Sequence, residues 1–129
     1  AINHDLTPIA RIVAGAVTGC PPELMGIGPI NATKLVLKRA NWTVDDVNIF
    51  ELNEAFASQS LAVISDLNIP HEKVNLDGGA LAIGHPLGAS GLRISGKAAS
   101  LLQRTGENRA IATMCIGGGM GISIALERI

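Results

Sequence analysis

Ala110-Ile111-Ala112-Thr113-Met114-Cys115-Ile116-Gly117-Gly118-Gly119-Met120-Gly121-Ile122-Ser123-Ile124-Ala125-Leu126 is the stretch on which the architecture turns. Ala110 to Cys115 is apolar on both faces, as a central sheet strand is. After Gly117-Gly118-Gly119, Ile122, Ile124 and Leu126 alternate as a neighbouring strand does. A glycine connection this short joins antiparallel strands. The expectation is an antiparallel pair at one side of a mixed sheet.

Working upstream, Leu92, Ser95, Ala98, Ala99 and Leu102 read as a helix that Gly106 ends. Its small residues Gly91, Ser95, Gly96, Ala98 and Ala99 predict a close approach to another backbone. Before it, residues 77–91 are dense in glycine, which predicts tight turns rather than a regular element. From Glu54, the residues Phe56, Ser60, Val63, Ile64 and Leu67 recur at helical spacing as an inner stripe, and Pro70 stops them. Val47 to Leu52 reads as a short strand, and Gly28-Pro29 opens a helix to about Ala40 with Lys38 and Arg39 in its last turn. Ile9 to Val17 is a β-branched and apolar run that reads as the first strand. Strand, helix, strand, helix, loop, helix, strand, strand is an α/β layered domain with a mixed sheet and packed helices. One domain over residues 1–129 is expected, with a sheet that continues into sequence before the first strand.

Charged residues make up only 16% of the 129 residues and hydrophobic ones 47%. A typical soluble domain is roughly 25% charged, so part of this surface is expected to be covered. Ten basic and 11 acidic residues leave a formal charge of -1, with no basic tract to meet a nucleic acid. No apolar run approaches the ~18 to 20 residues of a membrane span, and Ala1-Ile2-Asn3-His4-Asp5 lacks the basic start of a signal peptide. A soluble, cytoplasmic chain is expected. Cys20 and Cys115 fit neither a disulfide scaffold nor a zinc motif, so no metal is expected and a reducing compartment is. G-x-G-x-x-G, G-K-[ST] and G-x-S-x-G are all missing, which gives no support to dinucleotide, P-loop or hydrolase-elbow chemistry.

Four positions invite a chemical reading. His85, between Gly84 and Pro86, is either a loop-held acid/base group or a histidine that caps a backbone carbonyl. Cys115 is either a small buried hydrophobe or a thiol delivered to a surface by the strand end. In the second case the glycines from Gly117 onward offer unobstructed N–H groups as an anion nest. Asn53 is either the N-cap of the following helix or an amide turned toward the strand ends, where α/β sheets bind ligands. Glu54 reads as serving a first helical turn.

Asn53-Glu54-Ala55-Phe56-Ala57, then Gly78-Gly79-Ala80-Leu81-Ala82-Ile83-Gly84-His85-Pro86-Leu87-Gly88-Ala89-Ser90-Gly91, then Cys115-Ile116-Gly117-Gly118-Gly119-Met120-Gly121 together resemble the thiolase family, in the family's order. Met25-Gly26-Ile27-Gly28-Pro29 precedes them as in thiolases, so the resemblance spans essentially the whole chain. It implies the second of two similar α/β domains. The implied chemistry is acyl-CoA C-acyl transfer: Claisen condensation of two acyl-CoA molecules, or thiolysis of a 3-ketoacyl-CoA, through an acyl-cysteine. Carried over, His85 activates the nucleophilic thiol and helps bind a thioester oxygen, and Cys115 moves the α-carbon and CoA protons. Asn53 orients a water in one oxyanion hole, the Gly117 N–H serves the other, and Met25 and Phe56 line the acyl region. For Cys115 to act as a base, its surroundings are expected to favour the thiolate, with glycine N–H groups and an imidazole as the means.

The family's nucleophilic cysteine belongs to its first domain, and Cys20 does not lie in a matching motif. The isolated chain is therefore expected to be inactive, with an N-terminal thiolase domain or subunit as partner, in a homo-oligomer. Coenzyme A thioesters are implied as substrates, not as permanently bound cofactors. Two rivals remain at this point: a non-catalytic thiolase-fold protein that binds an acyl chain or a partner, and a free-standing cysteine hydrolase using Cys115 and His85.

Overall fold

The computed structural model describes residues 1–129, the side chain of Ile2 excepted. Strand β1 (Ala10–Gly19) leads through a 3-10 segment (Pro22–Ile27) into helix α1 (Gly28–Ala40). Then come β2 (Ile49–Leu52), α2 (Ala57–Asp66), a short 3-10 turn (His71–Lys73), α3 (Ala80–Ile83), α4 (Ser90–Thr105), β3 (Arg109–Ile116) and β4 (Met120–Arg128). The sheet order is β1-β4-β3-β2. β4 runs antiparallel to both neighbours, while β2 lies parallel to β3. The expected mixed sheet and antiparallel last pair are both present. A parallel bridge from Phe50 to Val74 adds one further residue pair beyond β2.

Side chains alternate across the sheet, and each face is buried under helix. Phe50, Leu52, Ile111 and Ala125 pack with Val36 and Leu37 of α1 and Val63 of α2. On the other face, Ile49, Ala110, Ala112 and Leu126 pack with Ile94, Ala98, Leu101 and Leu102 of α4. The result is helix, sheet, helix in three layers, with β3 buried from Ala110 to Met114. No helix is long and apolar enough to cross a membrane, among the described residues.

Several elements differ from the sequence reading. β2 starts at Ile49 rather than Val47, because the Val47 N–H turns back to the Val44 carbonyl. α2 starts at Ala57, not Glu54, because Asn53 is still bound to β3 through its N–H and the Thr113 carbonyl, 3.0 Å apart. Phe56 is the extended N-cap residue and 63% exposed, outside the inner stripe. Residues 77–91 do contain a regular piece, the single turn α3.

The close backbone approach also lies elsewhere than on α4. A side-chain carbon at Gly28 would stand 2.4 Å from the Met120 carbonyl oxygen, and one at Gly121 would stand 2.1 Å from the Gly28 carbonyl carbon. The start of α1 thus sits directly on the start of β4, whereas Gly96 on α4 faces open space. In the hairpin turn, Gly118 (φ 81°) and Gly119 (φ 75°) are both left-handed, a pair of conformations that glycine takes most readily. Gly28→Ala is expected to cost roughly 2 to 4 kcal/mol, since backbone rather than a flexible side chain must give way. Gly96→Ala should instead stabilise by about 0.5 to 1 kcal/mol through helix propensity. Urea unfolding of the two variants against the parent measures both.

Glu51 is the exception in a buried strand. It is 0% exposed, and neither carboxylate oxygen has a hydrogen-bond partner. Burial pushes its pKa up to about 7, and the nearby Arg93 and Lys97 charges only partly oppose this while Asp77 and Glu54 add to it. Below the ordinary carboxyl value of 4.5 the group is protonated in both folded and unfolded chains. Between that value and about 7 the folded chain keeps a proton that the unfolded chain has lost. Stability then falls as pH rises, by up to about 3 kcal/mol. Glu51→Gln should remove this part of the slope, so unfolding free energies at pH 5 and pH 8 should differ less in the variant than in the parent.

Candidate active site

Because β2 and β3 run parallel, their carboxyl ends reach the same edge of the sheet. Leu52 pairs with Thr113, so Asn53 follows β2 directly beside the last residues of β3, where Cys115 lies. This is the edge at which open α/β sheets take ligands.

The loop carrying His85 is held over that edge from two sides. The Glu54 carboxylate accepts from the Leu81 N–H (3.0 Å) and from Asn75 Nδ2 (2.8 Å). Glu54 therefore serves the first turn of α3, not of α2. The Asn75 amide in turn accepts from the Leu52 N–H and donates to the Leu52 carbonyl, each at 2.9 Å, so one side chain substitutes for a strand residue beside β2. On the other side, Asp77 binds the two terminal nitrogens of Arg104 at 2.7 Å each and also contacts Lys97. Those hydrogen bonds, Arg104 first and Lys97 next, hold the Asp77 carboxyl well below the usual range.

The imidazole of His85 is oriented by its neighbours. Its Nδ1 lies 2.6 Å from Ser90 Oγ, whose own proton is given to the Pro86 carbonyl at 3.1 Å. Ser90 therefore accepts, Nδ1 carries the hydrogen, and in the neutral ring Nε2 keeps its lone pair. Asn53 Nδ2 stands 3.5 Å from that Nε2. Arg93 Nη2 reaches Asn53 Oδ1 on the far side at 3.3 Å.

His85, Cys115, Gly117, Met25 and Phe56 line one cavity of about 430 Å³, together with Gly26, Ala55, Leu87, Met114 and Ile116. Five of the six positions singled out from the sequence thus line one cavity. Asn53, the sixth, is 0% exposed and stands one step behind it, in contact with His85. It does not cap α2, whose N-cap is Phe56. Cys20 is partly buried off the cavity, with Sγ against the Leu24 and Met25 carbonyls. His71 is exposed, as its place in a connection suggests.

Cys115 departs from expectation in its electrostatics. Burial pushes its thiol up from the ordinary value, the Cys20 thiol adds to this, and its own backbone amide only partly offsets it. Its surroundings keep it protonated rather than favouring a thiolate. Its neighbours on the wall, Met114, Ile116 and Met25, are apolar, and no cation figures among the groups acting on it.

Ser90, Arg93, Glu51 and Asn75 are parts of the site that sequence reasoning did not find. Two left a trace: Glu51 is a charge inside an apolar strand, and Arg93 lies beside Ile94, which begins the inward stripe of α4. Among the described residues, no group of three or more His, Cys, Asp or Glu is placed to hold a metal ion.

Comparison with known proteins agrees in sequence and in fold. The family described as "Thiolase, C-terminal domain" matches residues 6–128. Acetyl-CoA acetyltransferase of Chromobacterium violaceum is 51% identical over 123 residues, which cover 95% of this chain and 31% of that protein. 3-Ketoacyl-CoA thiolase of Marinobacter nauticus is 54% identical over 127 residues, covering 96% of this chain and 32% of that one. The crystal structure of human mitochondrial 3-ketoacyl-CoA thiolase in complex with CoA matches with a TM-score of 0.96 at 45% identity, over 99% of this chain and 32% of its own. The chain spans about a third of the length of these relatives. With the three-layer fold and the cavity at the carboxyl ends of β2 and β3 in place, these likenesses establish that the chain belongs to the thiolase family, where it corresponds to the C-terminal domain.

Proposed function

We propose that this chain is the acid/base and oxyanion-binding half of an acyl-CoA C-acyltransferase, acetyl-CoA C-acetyltransferase-like when complete, paired with an N-terminal thiolase domain that carries the nucleophilic cysteine. The observation that supports this most is the shared apolar cavity, with an imidazole, a thiol and a glycine among its lining.

His85 Nε2 holds a lone pair, so it takes the proton of the partner domain's thiol as that sulfur attacks a carbonyl carbon. The Nε2–H so formed then donates to the oxygen that becomes negative, and the Gly117 N–H serves a second such oxygen. In the cleavage direction, the bond between the α-carbon and the attacked carbonyl carbon breaks, and its electron pair goes to the α-carbon. Cys115 gives its proton there, a role suited to a thiol that burial keeps neutral. The acyl group is left on the partner's cysteine and one acyl-CoA departs. The Cys115 thiolate then takes the proton of incoming CoA, whose sulfur accepts the acyl group, and the partner's cysteine leaves as a thiolate that recovers its proton from His85. Condensation is the same path reversed.

Leu81, Ile83, Leu87 and Leu92 are 63%, 66%, 82% and 80% exposed, and all four lie on the loop beside the cavity or on the first turn of α4. Apolar exposure on this scale marks a covered surface. We assign the cover to the N-terminal domain and to a second copy of the complete chain. Two unpaired cysteines suit a reducing, cytoplasmic setting.

In the complete two-domain protein, Cys115→Ala should slow thiolysis of acetoacetyl-CoA by about 10²- to 10⁴-fold while acetylation by acetyl-CoA persists, because acylation does not touch the α-carbon. His85→Ala should slow acetylation itself by a similar factor of about 10² or more. Mass spectrometry follows the acetyl adduct and absorbance follows acetoacetyl-CoA. Unchanged thiolysis in Cys115→Ala would sink the assignment, and binding of acyl-CoA with no turnover in the parent would favour the non-catalytic reading.

A further inference from the structure

Asn53 is a buried amide between two groups that want opposite things from it. An asparagine amide turned over by 180° keeps its shape and exchanges its donor for its acceptor. Packing alone does not choose between the two. Arg93 does: a guanidinium has donors only, so the group 3.3 Å from its Nη2 must be the Asn53 carbonyl oxygen. The NH2 group is thereby committed to the His85 side, 3.5 Å from Nε2. Every proton in the chain from Arg93 through Asn53, His85 and Ser90 to the Pro86 carbonyl then points the same way.

Arg93 is poorly placed for any other purpose. Its Nε is buried with no partner, and so are both oxygens of Glu51. Glu51 lies two residues before Asn53, on the same side of β2, the side that α4 covers. Arg93 is the stronger of the two positive charges that draw the Glu51 carboxyl back down, ahead of Lys97. A half-buried guanidinium whose Nε is buried without a partner, and which has no ion pair within 4 Å, costs folding free energy that an apolar side chain there would avoid.

We infer that Arg93 is the positioning residue of this site: it fixes the Asn53 amide with its NH2 toward His85 and so keeps His85 Nε2 unprotonated at rest, its lone pair facing a donor at 3.5 Å until the thiol proton replaces that long contact. This rests on the acyl-transfer reading given above. Without Arg93 the amide is free to turn. Its carbonyl would then face Nε2, where it favours the imidazole tautomer or cation that carries hydrogen on that nitrogen, and the base is lost.

A double-mutant cycle in the complete two-domain protein tests this, read as kcat and KM for acetoacetyl-CoA thiolysis. Arg93→Met keeps the aliphatic stem and removes the donors. In the parent it should lower kcat by about 10- to 100-fold with little change in KM, the scale expected for a misplaced catalytic group. In an Asn53→Ala background the same change should lower kcat by less than about 2-fold, since the group it acts through has gone. Arg93→Lys should recover part of the loss, and it carries the same cycle if thermal unfolding shows that Arg93→Met does not fold. Equal factors in both backgrounds would mean that Arg93 is merely structural and would overturn the inference. If Asn53→Ala alone leaves kcat unchanged, the fault lies instead with the part in acyl transfer that the thiolase resemblance implies for Asn53, and the inference about Arg93 falls with it.

Discussion

Parallel pairing of β2 with β3, in the register that sets Leu52 against Thr113, is the constraint on which the rest of the structure depends. Parallel strands cannot be joined by a tight turn, so everything from Asn53 to Asn108 must cross over and return to the start of β3. That crossover contains α2, the His85 loop and α4. Its two ends leave and rejoin the sheet at opposite edges, and the strand ends that face the loop are those of Asn53 and Cys115. A shift of one residue in this pairing would turn Glu51 toward α1 and Phe50 toward α4, reversing both faces of the strand at once.

The loop is secured by polar groups rather than by apolar burial. Leu81, Ile83 and Leu87 are exposed, so the contacts of Glu54, Asn75 and Asp77 hold it in place. Each of these is directional and together they fix the path of the backbone, while Ser90 and Asn53 orient the His85 ring. The interior under α4 carries the opposite strategy. There, Glu51 and Arg93 sit without full partners in a layer that is otherwise Ile49, Ile94, Ala98 and Leu101. A site that must hold a charge pattern steady gains from polar groups that cannot reorient, even where they lower stability.

Much of this was legible in the chain. Both halves of the β3–β4 hairpin show in the alternation of Ile122, Ile124 and Leu126 and in the apolar run before the glycines, and α1 is bounded by Gly28-Pro29 and Ala40 as its sequence suggests. Helix starts were harder to read. Asn53 looks like a cap, but its backbone is held by the Thr113 carbonyl, a partner sixty residues away in sequence that no local pattern reveals. Gly28 and Gly121 are equally silent, since each is required only because the other's backbone is there. His85, Cys115, Gly117, Met25 and Phe56 could be named from their motifs, yet the cavity they line forms where the register of β2 on β3 brings the strand ends together. Arg93 and Glu51 appear in the sequence only as charges in apolar surroundings, and the direction that Arg93 imposes on Asn53 needs the folded geometry.

The central claim is that the chain moves protons and stabilises oxyanions but lacks the sulfur that accepts the acyl group. Intact-mass measurement after exposure to acetyl-CoA tests it most directly, on the 129-residue chain alone and mixed with an N-terminal thiolase domain. The account predicts no adduct on the chain alone, and in the mixture a single acetyl group carried by the N-terminal domain, accompanied by thiolysis of acetoacetyl-CoA. A stable acetyl group on Cys115, or thiolysis by the isolated chain, would contradict it.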